Sequence, residues 1–446
     1  MSLRNLLIVS PHFPPTDAVD MHRVRMNARH YESHGWRPHI LAVDPAQVVR
    51  QVDANLSRTV PNDIAIFRTS ALPSTALKNL GVSDISLRAM ASMARAGDDI
   101  IARKKIDLVF ISTTAFMSMM LGARWLRRFG TPYVLDFQDP WFTAPPSSIP
   151  HRRQGLKHQF MRRMHALAEA RSVPHASGLI AVSEAYLEAL KGAYPALANV
   201  PSETIPFGTS ATDFQVANVV GEPWRPFAAS ELRAPMALYA GRLGEDMLPA
   251  IDALFQFMKA VPAEAPGGLS QLTAGFLGTG YLREGNPREV EPRAEAAGLA
   301  ARIAERPDRL PMLDALSSLL VADFLLLLGS ADLTYQPSKL YQVMATGKPI
   351  LCIAPSGGRL AAQVRNLKSV VLIECDTPLN AEAVDAATSK LSALLRAPKD
   401  NAVIRERDPI CSANDAAALA ARECALFDRA ADFSANVSSV GQATQP

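Results

Sequence analysis

The 446-residue sequence holds only four cysteines, Cys352, Cys375, Cys411 and Cys424, all in its last quarter and none spaced as a CxxC pair. That pattern argues against a disulfide framework or a zinc ribbon and reads as reduced core thiols. Long hydrophobic runs are also lacking. The nearest approach, Leu319 to Leu328, is interrupted by Asp323, far short of the ~20 apolar residues of a membrane-spanning helix. The early run Leu6-Leu7-Ile8-Val9 is too short for a signal-peptide core, so the expected location is cytoplasmic. Nor is there an excess of one charge. Lys and Arg number 46 against 43 Asp and Glu, a formal +3, which argues against a dedicated nucleic-acid binder. No repeat of fixed period is visible.

What is present is ordinary globular composition, 48% hydrophobic and 20% charged. The length suits roughly two to four domains and a core that needs no disulfide or metal staple. Short apolar runs alternate with longer helical patterns. Strands are expected at Leu6–Val9, His39–Val43, Ile64–Phe67, Leu108–Ile111, Tyr133–Asp136 and Leu179–Val182. Helices are expected at Met21–His34, roughly Thr75–Lys104, Ala115–Phe129, Arg152–Arg171 and Glu184–Lys191. Such alternation implies a parallel sheet covered on both faces, a doubly wound α/β domain.

From about Phe207 to Pro235 the pattern pauses in a linker and an irregular entry segment. It then restarts, with strands at Met236–Ala240, Leu272–Leu277, Asp323–Leu328, Ile350–Ala354 and Val370–Ile373. Helices are expected at Leu248–Ala260, Ser338–Thr346 and Ala413–Ala430, the last capped by Asn414 or Asp415. The expected organisation is therefore two Rossmann-like domains, residues 1–207 and 208–410. A C-terminal helix over 411–432 packs back on the first domain, and 433–446 form a tail. Ligands in such sheets bind beyond the strand carboxyl ends, so function is sought in the loops that follow strands and in a cleft between the halves.

Five loops stand out. Ser10 to Asp20 follows the first strand; its prolines stiffen it, Asp20 can cap the next helix, and His22, Arg23 and Arg25 open that helix. An anion site and a plain rigid crossover are both open readings. Asp136-Phe137-Gln138-Asp139-Pro140-Trp141 ends a strand with two carboxylates that could accept sugar hydroxyls or act as a base; a turn with a core tryptophan is the alternative. Leu277-Gly278-Thr279-Gly280 allows close backbone approach or is simply a turn. Gly241-Arg242-Leu243-Gly244 offers Arg242 to phosphate oxygens, unless it pairs with Glu245 or Asp246. In the stretch Gly329–Leu340, Pro337 and Ser338 fit a helix start, and Ser338 with the Lys339 ammonium suits a diphosphate. A capping serine with a solvated lysine is the alternative.

Taken together, in order and spacing over nearly the whole chain, these loops resemble a glycosyltransferase of the GT-B fold, within the large retaining family that uses nucleotide-sugar donors. His12-Phe13-Pro14-Pro15 is similar to the family's first loop, and Gly35-Trp36 to its step before the second strand. Asp136 to Trp141 is similar to an Asp-Phe-Arg-Asp-Pro-Trp run. Leu179–Glu184 resembles a frequent strand, and Ile205-Pro206-Phe207-Gly208 the usual Ile-Pro-Asn-Gly. Ser338-Lys339-Leu340-Tyr341 followed by Gly347-Lys348-Pro349 resembles the donor-diphosphate helix.

The resemblance implies retaining sugar transfer from a nucleotide-sugar cosubstrate to a glycan or lipid-linked acceptor in cell-surface polysaccharide or glycoconjugate assembly. No metal and no other cofactor is implied. Asp139, His12, Lys339 and Arg242 are the implied catalytic residues. Gly241, Arg242, Gly278, Thr279, Gly280, Ser338, Lys339, Leu340 and Gln342 are the implied donor contacts. Phe13, Asp17, His22, Arg23, Asp136 and Trp141 lie on the acceptor side.

Departures from the family pattern bear on the site. Ala18 and Val19 replace glycines of the first loop. Met247 stands near the position of a diphosphate-binding lysine. A glutamate pair eight apart maps to Thr334 and Gln342, and Ser112-Thr113-Thr114 replaces the usual histidine after the fourth strand. A nucleotide-sugar 2-epimerase of the same fold and a non-catalytic GT-B binding protein are the competing readings.

One segment carries the charge. His151 to Arg171 holds six Arg or Lys and one acid, Glu169, so the rest of the chain is slightly acidic. Arg152, Arg153, Lys157, Arg162 and Arg163 could rest this helix on an anionic membrane surface, making the protein peripheral. Alternatively its apolar stripe of Leu156, Phe160, Met161 and Met164 packs on the sheet.

Overall fold

The computed structural model describes residues 3–49, 51–74, 84–143, 156–220, 227–228, 231–233, 235–335, 337, 339–376, 379–397 and 409–443. Ser338, Arg152, Arg153 and the first part of the Thr75–Lys104 helix lie outside them, as does the side chain of Lys157. The chain forms two compact units, Met1–Phe207 with Ala416–Pro446, and Gly208–Asp415.

The first unit is built on seven parallel strands: β1 (Arg4–Val9), β2 (Trp36–Val43), β3 (Ala65–Thr69), β4 (Leu108–Ser112), β5 (Tyr133–Phe137), β6 (Gly178–Ala181) and β7 (Ser202–Thr204). Their order is β3-β2-β1-β4-β5-β6-β7. Successive side chains of a strand point to opposite faces, and both faces here are apolar. Leu7, Val9, Val109, Ile111 and Leu135 pack with Ala89, Met93 and Ile100 of the helix Ile85–Lys104 and with Trp125. Leu6, Ile8, Leu108, Phe110 and Val134 pack with Leu419, Ala420, Phe427 and Ala430 of the last helix, Ala416–Ala443. That helix therefore supplies the missing cover of the first sheet. Gly97 allows one of these packings, because a Cβ there would lie 2.1 Å from the Trp125 ring.

The second unit has six parallel strands: β8 (Met236–Ala240), β9 (Thr273–Leu277), β10 (Ile303–Arg306), β11 (Phe324–Leu328), β12 (Ile350–Ala354) and β13 (Val370–Glu374), in the order β10-β9-β8-β11-β12-β13. In both sheets the chain switches direction beside the first strand. The loops after β1 and β4, and those after β8 and β11, thus flank a switch point, where ligands of open α/β sheets bind.

Several elements differ from expectation. The stretch expected to be an irregular entry contains the helix Ala211–Val220, which packs against Met312–Val321 and buries Phe214 and Ala217. Strand β10 was not anticipated, because it ends in Glu305-Arg306. Yet Glu305 is fully buried and accepts from Thr279 Oγ1 and the Val290 and Glu291 amides. The helix expected over Met21–His34 is α-helical only at His22–Asn27, with 3₁₀ turns on either side. Among the described residues no helix is long and apolar enough to cross a membrane.

Candidate active site

In the first unit the two switch-point loops meet through Asp20. Its carboxylate lies 2.9 and 3.0 Å from Nδ1 of His12, accepts from Thr113 Oγ1 at 2.7 Å and from the Thr114 amide at 3.1 Å. Burial works to raise the Asp20 pKa, but the His12 and Thr113 bonds outweigh it and hold the carboxyl below its ordinary value. Asp20 thus does not cap the following helix; it is buried and fixes a histidine. Thr113 and Thr114, just after β4, support the histidine that follows β1. With Nδ1 engaged by a carboxylate, the neutral tautomer leaves Nε2 as the acceptor. Nε2 has no partner among the described residues, and His12 lines a cavity of about 380 Å³ with Val48, Val49, Asp84, Arg88 and Thr114.

The Asp136–Trp141 run divides by depth. Asp136 is fully buried, 2.8 Å from Nε of Arg23, which is 1% exposed. Arg23 also donates to the Ile205 carbonyl at 2.7 Å and reaches Glu423 at 3.4 Å. Glu423 in turn accepts from Asn27 at 3.1 Å and Tyr31 at 2.5 Å. Burial, opposed by Arg23, pushes Glu423 up to about 7. Expected on the acceptor side, Arg23 and Asp136 instead form an internal ionic network that ties the first loops to the last helix. Phe13 is likewise core, at 0% exposure. Asp17 pairs in a short antiparallel ribbon with Gln51, and His22 Nδ1 accepts from Arg25.

Gln138, which the sequence did not single out, donates to the Asp20 carbonyl at 2.9 Å and to Ser112 Oγ at 3.0 Å, joining the two loops. Asp139 is exposed beside this network; partial burial and then the Asp20 charge hold its carboxyl above the usual range. Trp141 stacks on Phe116 and donates to His165 Nδ1 at 2.8 Å. It therefore packs inward, the alternative the sequence left open. The buried Glu169 closes the loop by accepting from the Phe142 and Thr143 amides and from Tyr194.

In the second unit three predicted loops converge. The Gly241 amide donates to the Leu277 carbonyl and the Leu243 amide to Thr279, so the loops after β8 and β9 run side by side. From the segment after β11, Lys339 donates its ammonium to the Ala240 carbonyl at 2.9 Å. A Cβ on Gly241 would come within 3.3 Å of Lys339 Nζ and 3.2 Å of the Tyr239 hydroxyl. Burial, with the like charge of Arg309 second, pushes Lys339 down to about 8. Arg242 is held by Asp246 and Tyr281 at 3.2 Å each, and lies over the Tyr335 ring. About a third of its side chain stays exposed, so it remains open to a ligand.

Gly278 has φ 62 and donates to Arg306, while Gly280 leaves room for Asn286. Thr279 is buried on Glu305, a structural bond. The helix expected from Ser338 spans Leu340–Ala345, with Leu340 in the core and Gln342 half-buried. Met247 is fully buried in the core and Thr334 is tied to Asp332, so neither offers a charge to a ligand.

On the helix Leu156–Ser172, Arg162 and Arg163 are exposed, as are Phe160 and Leu167 at 63% and 54%. Ala168 and Glu169 face inward.

Residues 22–207 match the family described as Glycosyl transferase 4-like domain. No curated protein matches the sequence. Among solved structures, sucrose-phosphate synthase from Thermosynechococcus elongatus is 17% identical with a TM-score of 0.53, covering 96% of this chain and 98% of that one. The UDP-forming α,α-trehalose-phosphate synthase from Burkholderia vietnamiensis is 12% identical with a TM-score of 0.54, covering 97% and 100%. A structure described as trehalose-6-phosphate from E. coli bound with UDP-2-fluoro glucose is 12% identical with a TM-score of 0.52, covering 96% and 99%. At these identities the likeness concerns the fold: two Rossmann-like parallel-sheet domains, as in GT-B glycosyltransferases.

Proposed function

We propose that the protein is a glycosyltransferase that moves a sugar from a nucleotide-sugar donor to a hydroxyl of a glycan or lipid-linked acceptor, in cell-surface polysaccharide or glycoconjugate assembly. The observation that carries this reading is Lys339. It is a desolvated ammonium bonded to a carbonyl, beside Gly241 at a switch point, with no carboxylate partner among the described residues. A departing diphosphate supplies the missing negative charge, and stabilising charge as it develops there is the largest catalytic contribution expected. Lys339 and Arg242 perform it without a metal or other cofactor. In the transfer, the acceptor oxygen bonds to the anomeric carbon while the bond from that carbon to the diphosphate breaks, its electron pair leaving with the nucleoside diphosphate.

Retention follows from the family resemblance, and the acceptor proton then goes to the departing diphosphate oxygen. The His12–Asp20 pair favours a second reading, in which Nε2 of His12 takes that proton and the configuration inverts. NMR of the first-formed product separates the two. Asp139 is the other acceptor-side carboxylate within reach of solvent. Exposed Arg162 and Arg163 beside Phe160 and Leu167 support peripheral binding to an anionic membrane at its cytoplasmic face. A thermal-shift panel of nucleotide sugars, followed by transfer assays, tests the main reading. Stabilisation by one donor with sugar transfer supports it; conversion of free donor to its epimer, or no response to any donor, overturns it.

A further inference from the structure

The cavity at His12 also contains a group that the proposed function does not use. Arg88 is 4% exposed, on the helix Ile85–Lys104. Its Nε donates to the Leu72 carbonyl at 2.7 Å and Nη2 to the Gln47 carbonyl at 2.8 Å. Both partners are neutral. No carboxylate pairs with Arg88 among the described residues, and its Nη1 has no partner among them. The nearby acid of the lining, Asp84, is engaged in capping its own helix, accepting from the Ser86 amide and hydroxyl at 2.8 and 2.6 Å. A buried guanidinium held only by carbonyls is costly unless an anion completes it, and its planar fork suits phosphate or carboxylate oxygens.

We infer that this cavity binds a hydroxylated anion. Arg88 takes its phosphate or carboxylate, and His12 Nε2 accepts a hydrogen bond from one of its hydroxyls. A volume of about 380 Å³ lies within the range of small-molecule sites and suits one sugar unit with its charged group. Val48, Val49 and Ala115 supply the apolar wall. The inference rests on the glycosyltransferase reading only for its role: the ligand is the acceptor, or the acceptor's reacting unit, and it carries an anionic group beside its hydroxyls.

Direct binding tests the site without requiring transfer. Glucose 6-phosphate, glucuronate and glucose are titrated calorimetrically into the full chain. The two anionic sugars, or one of them, bind at least tenfold more tightly than glucose. A preference for glucose 6-phosphate assigns the anion to phosphate, and a preference for glucuronate assigns it to carboxylate. Arg88→Gln, which keeps an amide donor toward the two carbonyls, removes the preference. Val49→Trp fills the cavity from its exposed rim and weakens all binding; it serves as the second variant if Arg88→Gln does not fold. Equal binding of glucose, an anion preference that survives in Arg88→Gln, or no binding of any of the three overturns the inference. Anionic-sugar binding without any response to nucleotide sugars leaves this site standing and removes the transferase reading.

Discussion

The Lys339 ammonium lies 2.9 Å from the carbonyl oxygen of Ala240, the last residue of β8. The bond places a positive charge directly at the carboxyl edge of the second sheet, at its switch point. Because burial lowers the Lys339 pKa to about 8, the charge is present at neutral pH and is lost as the pH rises through that value. An anionic donor binds the protonated form. Donor affinity is therefore expected to be constant below about pH 7 and to fall as pH rises past about 8. Lys339→Gln removes this dependence and weakens binding by roughly 10- to 150-fold, the range of a lost charged hydrogen bond of about 1.5–3 kcal/mol. Titration of nucleotide sugar against both proteins between about pH 6 and 9.5 measures it.

The His12–Asp20 pair gives a prediction for the other domain. Asp20→Asn keeps the shape but no longer fixes a charged acceptor at Nδ1. Acceptor-side kcat/KM should fall at least tenfold while the donor Kd is unchanged. Equal losses in both would mean that Asp20 is structural rather than a positioning residue.

Glu423 links pH to stability. In the unfolded chain it ionises near the ordinary glutamate value of 4.5, whereas the folded protein holds its proton up to about 7. The folded state thus binds more protons between these values, and stability declines as pH rises across that window, then levels above it. Glu423→Gln flattens this decline. Glu423→Ala leaves the buried Tyr31 hydroxyl and Asn27 amide without their shared acceptor and costs about 1–3 kcal/mol for each group left unpaired. Denaturant unfolding at several pH values reads both effects.

Liposome flotation examines the basic helix. Binding should require anionic lipid, weaken with salt, and fall in the Arg162→Gln, Arg163→Gln double variant. Equal flotation on neutral vesicles, or of the double variant, contradicts the membrane assignment.

Strands were the most legible part of the molecule. Runs such as Leu6–Val9, Leu108–Ile111 and Ile350–Ala354 are buried on both faces and so appear as uninterrupted apolar segments. The loops that carry the candidate site were legible as positions, because they follow those strands. Their partnerships were less so. Asp20 looked like a helix cap because its acceptor role is set by Thr113, 93 residues away. Arg23 and Asp136 looked available because the group that encloses Arg23 from the other side, Glu423, lies 400 residues away. Strand β10 was not legible because its buried Glu305 is satisfied by the Thr279 hydroxyl and by the Val290 and Glu291 amides, partners that no local pattern displays. Arg88 was missed altogether: in sequence it is one basic residue in a long helix, and only the missing carboxylate distinguishes it.

The most direct measurement is sugar transfer itself. The protein is incubated with a panel of nucleotide sugars, and release of nucleoside diphosphate is followed together with appearance of glycosylated acceptor, for the natural chain and for Lys339→Ala. One donor should be consumed with stoichiometric transfer, and Lys339→Ala should lose that activity and the donor-induced thermal shift together. An unchanged rate in Lys339→Ala, or no donor consumed by the natural chain, would contradict the assignment.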